Sequence, residues 1–132
     1  MTRVARALAG LVLAAGLAAW VAALAGCSAR VGSRAAEWLQ GDPERGRLAL
    51  RRYGCGSCHT IPGVPGATSR VGPPLAGIAD RSYIAGVLVN APENMLRWIE
   101  NPQAVDSLTA MPNMGVPDGD ARDIASYLYR LR

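Results

Sequence analysis

The chain has 132 residues, half of them apolar, which allows one small folded domain plus a targeting segment and excludes a disordered chain. Its 14 arginines and ten acidic residues give a net charge of +4, but no basic cluster with interleaved aromatic residues occurs, so nucleic-acid binding is not predicted. Large aromatic side chains are few, with three Trp, four Tyr and no Phe. A domain this small and this poor in aromatic residues would struggle to build an adequate core alone.

The N-terminus has the features of an export signal. Two arginines, Arg3 and Arg6, precede the uncharged residues 7–26, and a Leu-Ala-Gly sequence leads into Cys27. That sequence resembles the lipobox of bacterial lipoproteins, which implies cleavage before Cys27 and acylation of this cysteine. A plain secretory signal or a retained transmembrane helix would also fit residues 7–26. We expect residues 1–26 to be a lipoprotein-type signal peptide. The rest would be exported and membrane-anchored, facing the periplasm or the outer side of the cytoplasmic membrane.

The exported part divides into a tether and a folded domain. Residues 27–41 are mostly polar or small and are interpreted as the tether, in which a short helix is possible near its end. Residues 42–132 form the domain. Asp42 and Pro43 are typical of a helix start, with Asp as the N-cap and Pro in the first helical position. Gly54 ends the apolar run that follows.

Two further helices are predicted downstream of a loop. Residues 61–74 are rich in Pro and Gly and predict irregular structure. Pro92 begins the second helix, which ends before Pro102. Asp118 is expected to cap the last helix, whose apolar residues recur at helical spacing. No alternating strand pattern occurs, so the sequence predicts an all-α domain with three main helices and long loops. The apolar stripe of the last helix comprises Ala121, Ile124, Ala125 and Leu128.

The strongest chemical signal is Cys55-Gly56-Ser57-Cys58-His59. This spacing is a signature of c-type haem attachment. Two thiols separated by two residues lie about one helical turn apart and can bond both vinyl groups of one porphyrin. The adjacent His59 can then ligate the iron from the proximal side. We therefore predict one haem c, covalently bound through Cys55 and Cys58.

Two other interpretations of the cysteine pair are weaker. A thioredoxin-like dithiol would need a βαβ pattern around it, which the sequence lacks. A zinc site would need more soft ligands than the chain offers, because His59 is the only histidine and Cys27 is distant. Two thioether bonds and one acylated cysteine would account for all three cysteines.

From Gly41 onward the chain resembles class I cytochromes c. The resemblance is carried by Gly46 and Leu50 in the first helix, the CxxCH motif, and short motifs at residues 72–75, 98–102, 109–112 and 125–128. It implies a class I cytochrome c fold around one haem. It also implies Met111 as the second axial ligand. The ligand methionine of the family stands four residues before a glycine and 13 after an aromatic residue that faces the haem, and Met111 meets both conditions through Gly115 and Trp98. Met114 meets neither.

The same resemblance implies roles for other residues. The carbonyl of Pro73 would accept a hydrogen bond from the proximal imidazole. Arg81 and Asn90 fall near positions that face a haem propionate, although a solvated surface role fits Arg81 equally well. Thr109 would hydrogen-bond the inner propionate. Gly46 and Tyr127 resemble the point where the first and last helices cross.

A narrower likeness concerns residues 81–111, which resemble the cytochrome c domain fused to subunit II of some bacterial haem–copper oxidases. That domain usually has Lys-Pro-Gly where this chain has Asp-Ser-Leu at 106–108, and the Lys-rich docking ring of mitochondrial cytochrome c is absent. The resemblance implies a membrane-tethered electron carrier, not an enzyme. It would work in a respiratory chain between a quinol-oxidising donor complex and a terminal oxidase. The alternative is a haem peroxidase or gas-binding module with a displaceable sixth ligand.

Overall fold

The computed structural model describes residue 35 and residues 37–132. From residue 43 onward the chain contains four α-helices: α1 (Pro43–Arg52), α2 (Pro92–Glu100), α3 (Pro102–Val105) and α4 (Asp118–Leu128). Two strands, β1 (Tyr83–Ile84) and β2 (Leu88–Val89), lie between α1 and α2. Short 3-10 turns occupy Cys55–Ser57 and Ile78–Asp80. The signal peptide and the lipidation site Cys27 predicted above lie outside the described residues.

The predicted start of the first helix is confirmed. The Asp42 carboxylate accepts hydrogen bonds from the backbone N–H groups of Glu44 (2.8 Å) and Arg45 (3.2 Å), and Pro43 is the first helical residue. These bonds satisfy donors that have no partner inside the helix. The helix begins at Pro43 because the Asp42 cap and the proline act at the same point of the chain.

The start of the last helix differs from the prediction. Pro117 is the N-cap residue of α4, and Asp118 is the first residue of the helix. The Asp118 carboxylate accepts a hydrogen bond from Arg122 Nε (2.8 Å), one turn later, instead of capping the backbone. The predicted apolar stripe of this helix is confirmed, since all four of its residues are buried.

The described residues also contain a small sheet that the sequence did not predict. Strands β1 and β2 pair antiparallel, and the turn between them holds Ala85 and Gly86 at positive φ (52° and 79°). Each strand has only two residues, which is too short for an alternating pattern to be recognised. The described part of the chain is therefore predominantly helical but not purely α.

Helices α1 and α4 cross in close contact at Gly46, as predicted. A Cβ atom at Gly46 would clash with the backbone carbonyl of Asp123 and approach the amide of Ile124. Tyr127 has a different partner, because its hydroxyl donates a hydrogen bond of 2.6 Å to the Pro62 carbonyl in the irregular loop. Glycine is thus required where the two backbones approach each other most closely.

An ion pair between a buried aspartate and an exposed arginine stabilises the same crossing. The side chain of Asp123 lies on α4 and the residue is only 6% exposed. It accepts hydrogen bonds from Arg45 Nε (2.8 Å), Arg45 Nη2 (3.1 Å) and the Asp42 backbone N–H (2.6 Å). Chiefly through the hydrogen bond from Arg45, the pKa of Asp123 is held below its ordinary value.

The folded domain begins earlier than predicted. Residues 35 and 37–39 are helical, and Ala35 and Leu39 belong to the buried core. Gly41 lies so close to α4 that a Cβ atom there would clash with the Arg122 carbonyl. The end of the predicted tether is therefore part of the domain, because its apolar side chains pack into the core. None of the helices among the described residues has the length and apolar character that crossing a membrane requires.

Candidate functional site

The core surrounds a cavity of about 390 Å³. This volume lies within the range of roughly 300–1,000 Å³ that is usual for small-molecule and cofactor sites. Helix α1 contributes Leu50 to its wall, α2 contributes Met95 and Ile99, and α4 contributes Ile124 and Leu128. The walls are mostly apolar, so the cavity suits a large apolar group with a few polar contacts.

The CxxCH motif lies along this cavity. Gly54, at φ 69°, ends the first helix and leads into the 3-10 turn Cys55–Ser57. The backbone N–H groups of Cys58 (3.3 Å) and His59 (3.0 Å) both donate to the Cys55 carbonyl. This tight turn brings the three functional side chains to one wall, where both thiols are free and line the cavity together with the imidazole.

The imidazole of His59 is held in one orientation. Its Nδ1 lies 2.7 Å from the Pro73 carbonyl oxygen, as the family resemblance implied. A carbonyl oxygen can only accept, so Nδ1 carries the proton and Nε2 keeps its lone pair for a metal. Gly72 packs against the ring, since a Cβ atom there would lie 2.6 Å from His59 Cε1 and 2.8 Å from Nδ1. The backbone N–H of Gly72 also donates to the Cys58 carbonyl (2.7 Å), which ties this loop to the motif.

The segment that carries Met111 is fixed on both sides of this residue. Gln103 Nε2, on α3, donates a hydrogen bond of 2.7 Å to the Met111 carbonyl oxygen. The Met111 backbone N–H donates to Thr109 Oγ1 at 3.2 Å. Thr109 and Met111 both line the cavity. The sequence did not identify Gln103, because nothing in the pattern of residues 101–111 shows that a side chain on α3 contacts the loop of Met111.

The two other methionines near the cavity differ in their surroundings. Met95 is buried, as expected of a core residue, and forms part of the wall. Met114 also lines the cavity but is 39% exposed. No hydrogen bond to its backbone matches those that hold Met111, although Asn113 Oδ1 accepts one from the N–H of Gly115 (2.8 Å). The two hydrogen bonds that hold the Met111 backbone favour Met111 over Met114 as the predicted thioether ligand.

The remaining residues that were predicted to contact the haem divide into two groups. Trp98, Thr109 and Arg81 line the cavity, and the Arg81 guanidinium donates hydrogen bonds to the carbonyls of Pro74 and Ala76. Asn90 is not brought to the cavity. Its Nδ2 donates to the carbonyls of Ile78 and Arg81 (2.8 Å each), and its Oδ1 accepts from the Tyr129 hydroxyl (2.8 Å).

The structure therefore does not bring Asn90 to the cavity, and its role beside a propionate stays a prediction. Both of its amide hydrogens have partners inside the protein. Asn90 instead links the segment around Ile78 to the last turn of the chain.

The Cys55 thiol does not have the lowered pKa of a reactive redox cysteine. Burial raises the pKa of the Cys55 thiol above its ordinary value. Reactive CxxC thiols have a lowered pKa, which maintains the thiolate at neutral pH. Among the residues that the structure describes, no group of three or more His, Cys, Asp or Glu side chains could hold a metal ion.

The residues that are present fit a covalently bound haem. The cavity combines apolar walls, two adjacent thiols, an imidazole whose Nδ1 is hydrogen-bonded to a carbonyl and a thioether from another loop. Cys55 and Cys58 would hold the porphyrin, and His59 and Met111 would ligate its iron. The close packing of Gly72 on the imidazole is the steric feature that the sequence alone did not reveal.

Comparison with known proteins gives one informative similarity. The chain matches no protein-family profile. Over 88 residues, or 67% of the chain, it is 32% identical to a protein of Alkalihalophilus pseudofirmus named cytochrome c oxidase subunit 2. The chain spans about a quarter of the length of that relative (24%). It is therefore similar to one part of a cytochrome c oxidase subunit 2.

Proposed function

We propose that this chain is a c-type cytochrome that transfers single electrons in a respiratory chain. In this proposal its domain has the class I cytochrome c fold and binds one haem through thioether bonds to Cys55 and Cys58. His59 and Met111 would ligate its iron. A bound haem supplies one redox centre, which accepts an electron from a donor and passes it to an acceptor.

The observation that carries the proposal is the arrangement of the CxxCH side chains on the cavity wall. Both thiols are free, and the hydrogen bond from His59 Nδ1 to Pro73 leaves Nε2 available on the same wall. A zinc site is not supported, since no group of three or more metal-binding side chains occurs among the described residues. The similarity to a cytochrome c oxidase subunit 2 supports the respiratory role.

The ligand pair determines which kind of haem chemistry the chain favours. A thioether opposite a histidine stabilises the reduced iron and raises the reduction potential relative to two histidines. The hydrogen bonds from Gln103 and to Thr109 hold the Met111 backbone and so oppose its displacement by small molecules. If two protein side chains ligated the iron, electron transfer would be favoured over peroxide or oxygen chemistry.

The protein controls the iron through the loops that hold its ligands. The Pro73 carbonyl keeps the proton on His59 Nδ1 and fixes the ring plane, which makes Nε2 a better donor. The mostly apolar walls would surround the haem with a low-dielectric environment.

The partners and location follow from the same proposal. A quinol-oxidising complex would be the donor and a membrane terminal oxidase the acceptor. Acylation at Cys27 after removal of residues 1–26 would hold the domain at the outer face of the cytoplasmic membrane. Replacing Cys27 by Ser tests the anchor, since the variant should be released from membranes. Unchanged retention would indicate a transmembrane helix instead.

Mass spectrometry and absorption spectroscopy test the haem itself. Protein produced with an intact haem-attachment system should retain one porphyrin after denaturation and solvent extraction, and Cys55→Ala with Cys58→Ala should retain none. The reduced protein should show a sharp α-band and should not bind CO rapidly. High-spin haem with rapid CO binding would instead favour a peroxidase or gas-binding module. Absence of any bound porphyrin would refute the proposal altogether.

A pair of methionine variants tests the second ligand. Met111→Ala should abolish the near-infrared charge-transfer band of iron–thioether ligation and lower the reduction potential. Met114→Ala is the matched control, because it removes a thioether from the same cavity wall, and the band should persist. Loss of the band in Met114→Ala but not in Met111→Ala would reverse the ligand assignment.

A further inference from the structure

Trp38 is an exposed indole at the point where the chain enters the folded domain. It lies in the short helical segment before α1 and is 50% exposed, although its neighbour Leu39 is completely buried. The guanidinium carbon of Arg122, on α4, lies 5.9 Å from the centre of the indole ring, which is within the range of a cation–π contact. The indole is thus held against α4 while much of the residue remains uncovered.

The arginine that supports the indole is itself fixed. Arg122 Nε donates a hydrogen bond of 2.8 Å to the Asp118 carboxylate, and Arg122 Nη1 donates one of 3.4 Å to the Leu39 carbonyl oxygen. Because these bonds keep the guanidinium in place, the indole that packs on it has little conformational freedom to lose when another phase covers it. Trp38 is therefore a pre-organised contact group.

The burial of the preceding residues limits how far Trp38 can lie from the membrane. Ala35 and Leu39 are buried, so only residues 28–34 separate the proposed anchor at Cys27 from the folded domain. Seven residues span at most about 25 Å when fully extended. The same limit applies to a retained transmembrane helix, because the uncharged stretch ends at residue 26. Trp38 follows Ala35 by only three residues and therefore stays near the lipid headgroups.

We propose that the surface around Trp38 rests on the lipid bilayer, with the indole in the headgroup region. The inference rests on the proposed membrane anchor and adds which side of the domain faces the lipid. Tryptophan is enriched at membrane–water interfaces, because its ring is apolar while its N–H can still reach a polar group. An anchor also raises the local concentration of lipid around the indole, so a contact that is weak alone becomes stable.

The contact does not require anionic lipid. Glu37, the exposed residue before Trp38, is acidic, and Arg122 is paired with Asp118. These three charged groups provide no excess of positive charge, which is the feature that attracts protein segments to anionic headgroups. Insertion of the indole should therefore be the same in zwitterionic and in anionic membranes. The short tether favours lipid over a protein partner, because the bilayer is always within reach.

The test measures how closely Trp38 approaches lipid. The full-length, haem-loaded protein is reconstituted with phosphatidylcholine vesicles whose acyl chains carry bromine near the headgroups, because bromine quenches indole emission only at short range. Flotation first shows that the protein is bound to the vesicles. Trp38→Phe gives the background emission of the other indoles. Trp98 contributes little to this background, since it lines the cavity, where bound haem would quench it.

The matched control moves the exposed indole to another part of the domain by combining Trp38→Phe with Val89→Trp. Val89 is 61% exposed, and the next residue, Asn90, accepts a hydrogen bond from Tyr129 at the C-terminal end of α4. Tyr129 follows Arg122 by seven residues, which is about 10 Å along a helix. Position 89 therefore lies toward the opposite end of α4 from the proposed contact. The haem absorption spectrum shows that each variant is folded.

We expect brominated lipid to reduce the emission of Trp38 about twofold or more, and that of the indole introduced by Val89→Trp by less than about 20%. Replacing a third of the lipid by phosphatidylglycerol should change neither result. Equal quenching at both positions would mean that no particular side of the domain faces the bilayer. That result, or an unquenched Trp38 in protein that floats, or quenching only with phosphatidylglycerol, would overturn the docking proposal.

Failure of the proposed function gives different results. A protein that does not float would refute the proposed anchor together with the lipid contact. A protein without bound porphyrin would refute the proposed electron-transfer role, whatever the position of Trp38.

Discussion

Gly72→Ala is the most direct test of how the protein holds His59. A Cβ atom at position 72 would lie 2.6 Å from His59 Cε1, 2.8 Å from Nδ1 and 3.2 Å from Nε2. Carbon atoms in contact are about 3.5–4.0 Å apart, so the ring would have to move by roughly 1 Å. A movement of this size would break the hydrogen bond of 2.7 Å between His59 Nδ1 and the Pro73 carbonyl oxygen.

The expected cost can be worked out from these two changes. Forcing one methyl group into a close-packed site costs about 1–3 kcal/mol. Loss of the hydrogen bond adds about 1 kcal/mol. Alanine has less conformational entropy than glycine in the unfolded chain, which offsets about 0.4–1 kcal/mol of this loss of stability. We therefore expect Gly72→Ala to lower the free energy of unfolding by about 1–3.6 kcal/mol.

The assay compares Gly72→Ala with Gly119→Ala, which makes the same chemical change on helix α4. No heavy atom lies within 4 Å of a Cβ at Gly119, so that variant should be as stable as the wild type or slightly more stable. Unfolding by guanidinium chloride gives the free energies, and NMR gives the solvent exchange of the His59 Nδ1 proton. Exchange should be about fivefold faster in Gly72→Ala, which corresponds to about 1 kcal/mol. Unchanged stability and unchanged proton protection would refute the packing of Gly72 on the imidazole.

Three further outcomes are expected from the structure. Gly46→Ala should destabilise the domain at least as much as Gly72→Ala, by about 3 kcal/mol in a chemical unfolding experiment, because its Cβ would meet a rigid backbone carbonyl. The pKa of Asp123 is lowered in the folded state, so its contribution to stability is present above its unfolded value near 3.8 and is lost as pH falls through the folded value. Asp123→Asn should therefore flatten the loss of stability between pH 5 and pH 2 in urea melts. Gln103→Leu removes the hydrogen bond to the Met111 carbonyl and should make displacement of the Met111 thioether easier by about 1 kcal/mol. When the pH is raised, the near-infrared band of the thioether should therefore disappear at a lower pH than in the wild type.

Each of these expectations has a control or a contradicting result. An unchanged stability of Gly46→Ala would mean that α1 and α4 can separate freely. An acid dependence that persists in Asp123→Asn would assign it to other carboxylates. For Gln103, the matched control is Asn94→Leu, which removes another amide-to-carbonyl hydrogen bond (3.0 Å, to Val89) away from the methionine loop. Equal shifts in both variants would show that Gln103 has no special effect on the ligand.

The sequence predicted those features that depend on local signals. Asp42 with Pro43 located the first helix, and the spacing of Cys55, Cys58 and His59 located the side chains that line the cavity. These signals act within a few residues, so they can be recognised without tertiary structure. The family resemblance also implied the hydrogen bond from His59 to Pro73, which the structure contains.

Features that depend on distant contacts could not be predicted in this way. Asp123 looks like a surface residue in the sequence, but the approach of α1 buries it against Arg45. The Gln103 side chain reaches the Met111 carbonyl only because α3 lies beside the loop that carries Met111. Asn90 was assigned to a propionate by its position along the chain, whereas the fold directs its amide to Ile78 and Arg81.

The burial of Leu39 determines where this domain can be separated from the preceding chain. A fragment that starts at residue 42 would lack a side chain that is 0% exposed and would leave an apolar depression open on the domain. Removal of a buried leucine typically costs about 2–5 kcal/mol, a large fraction of the roughly 5–15 kcal/mol that stabilises a small domain. Soluble fragments for crystallisation or NMR should accordingly begin at or before residue 35.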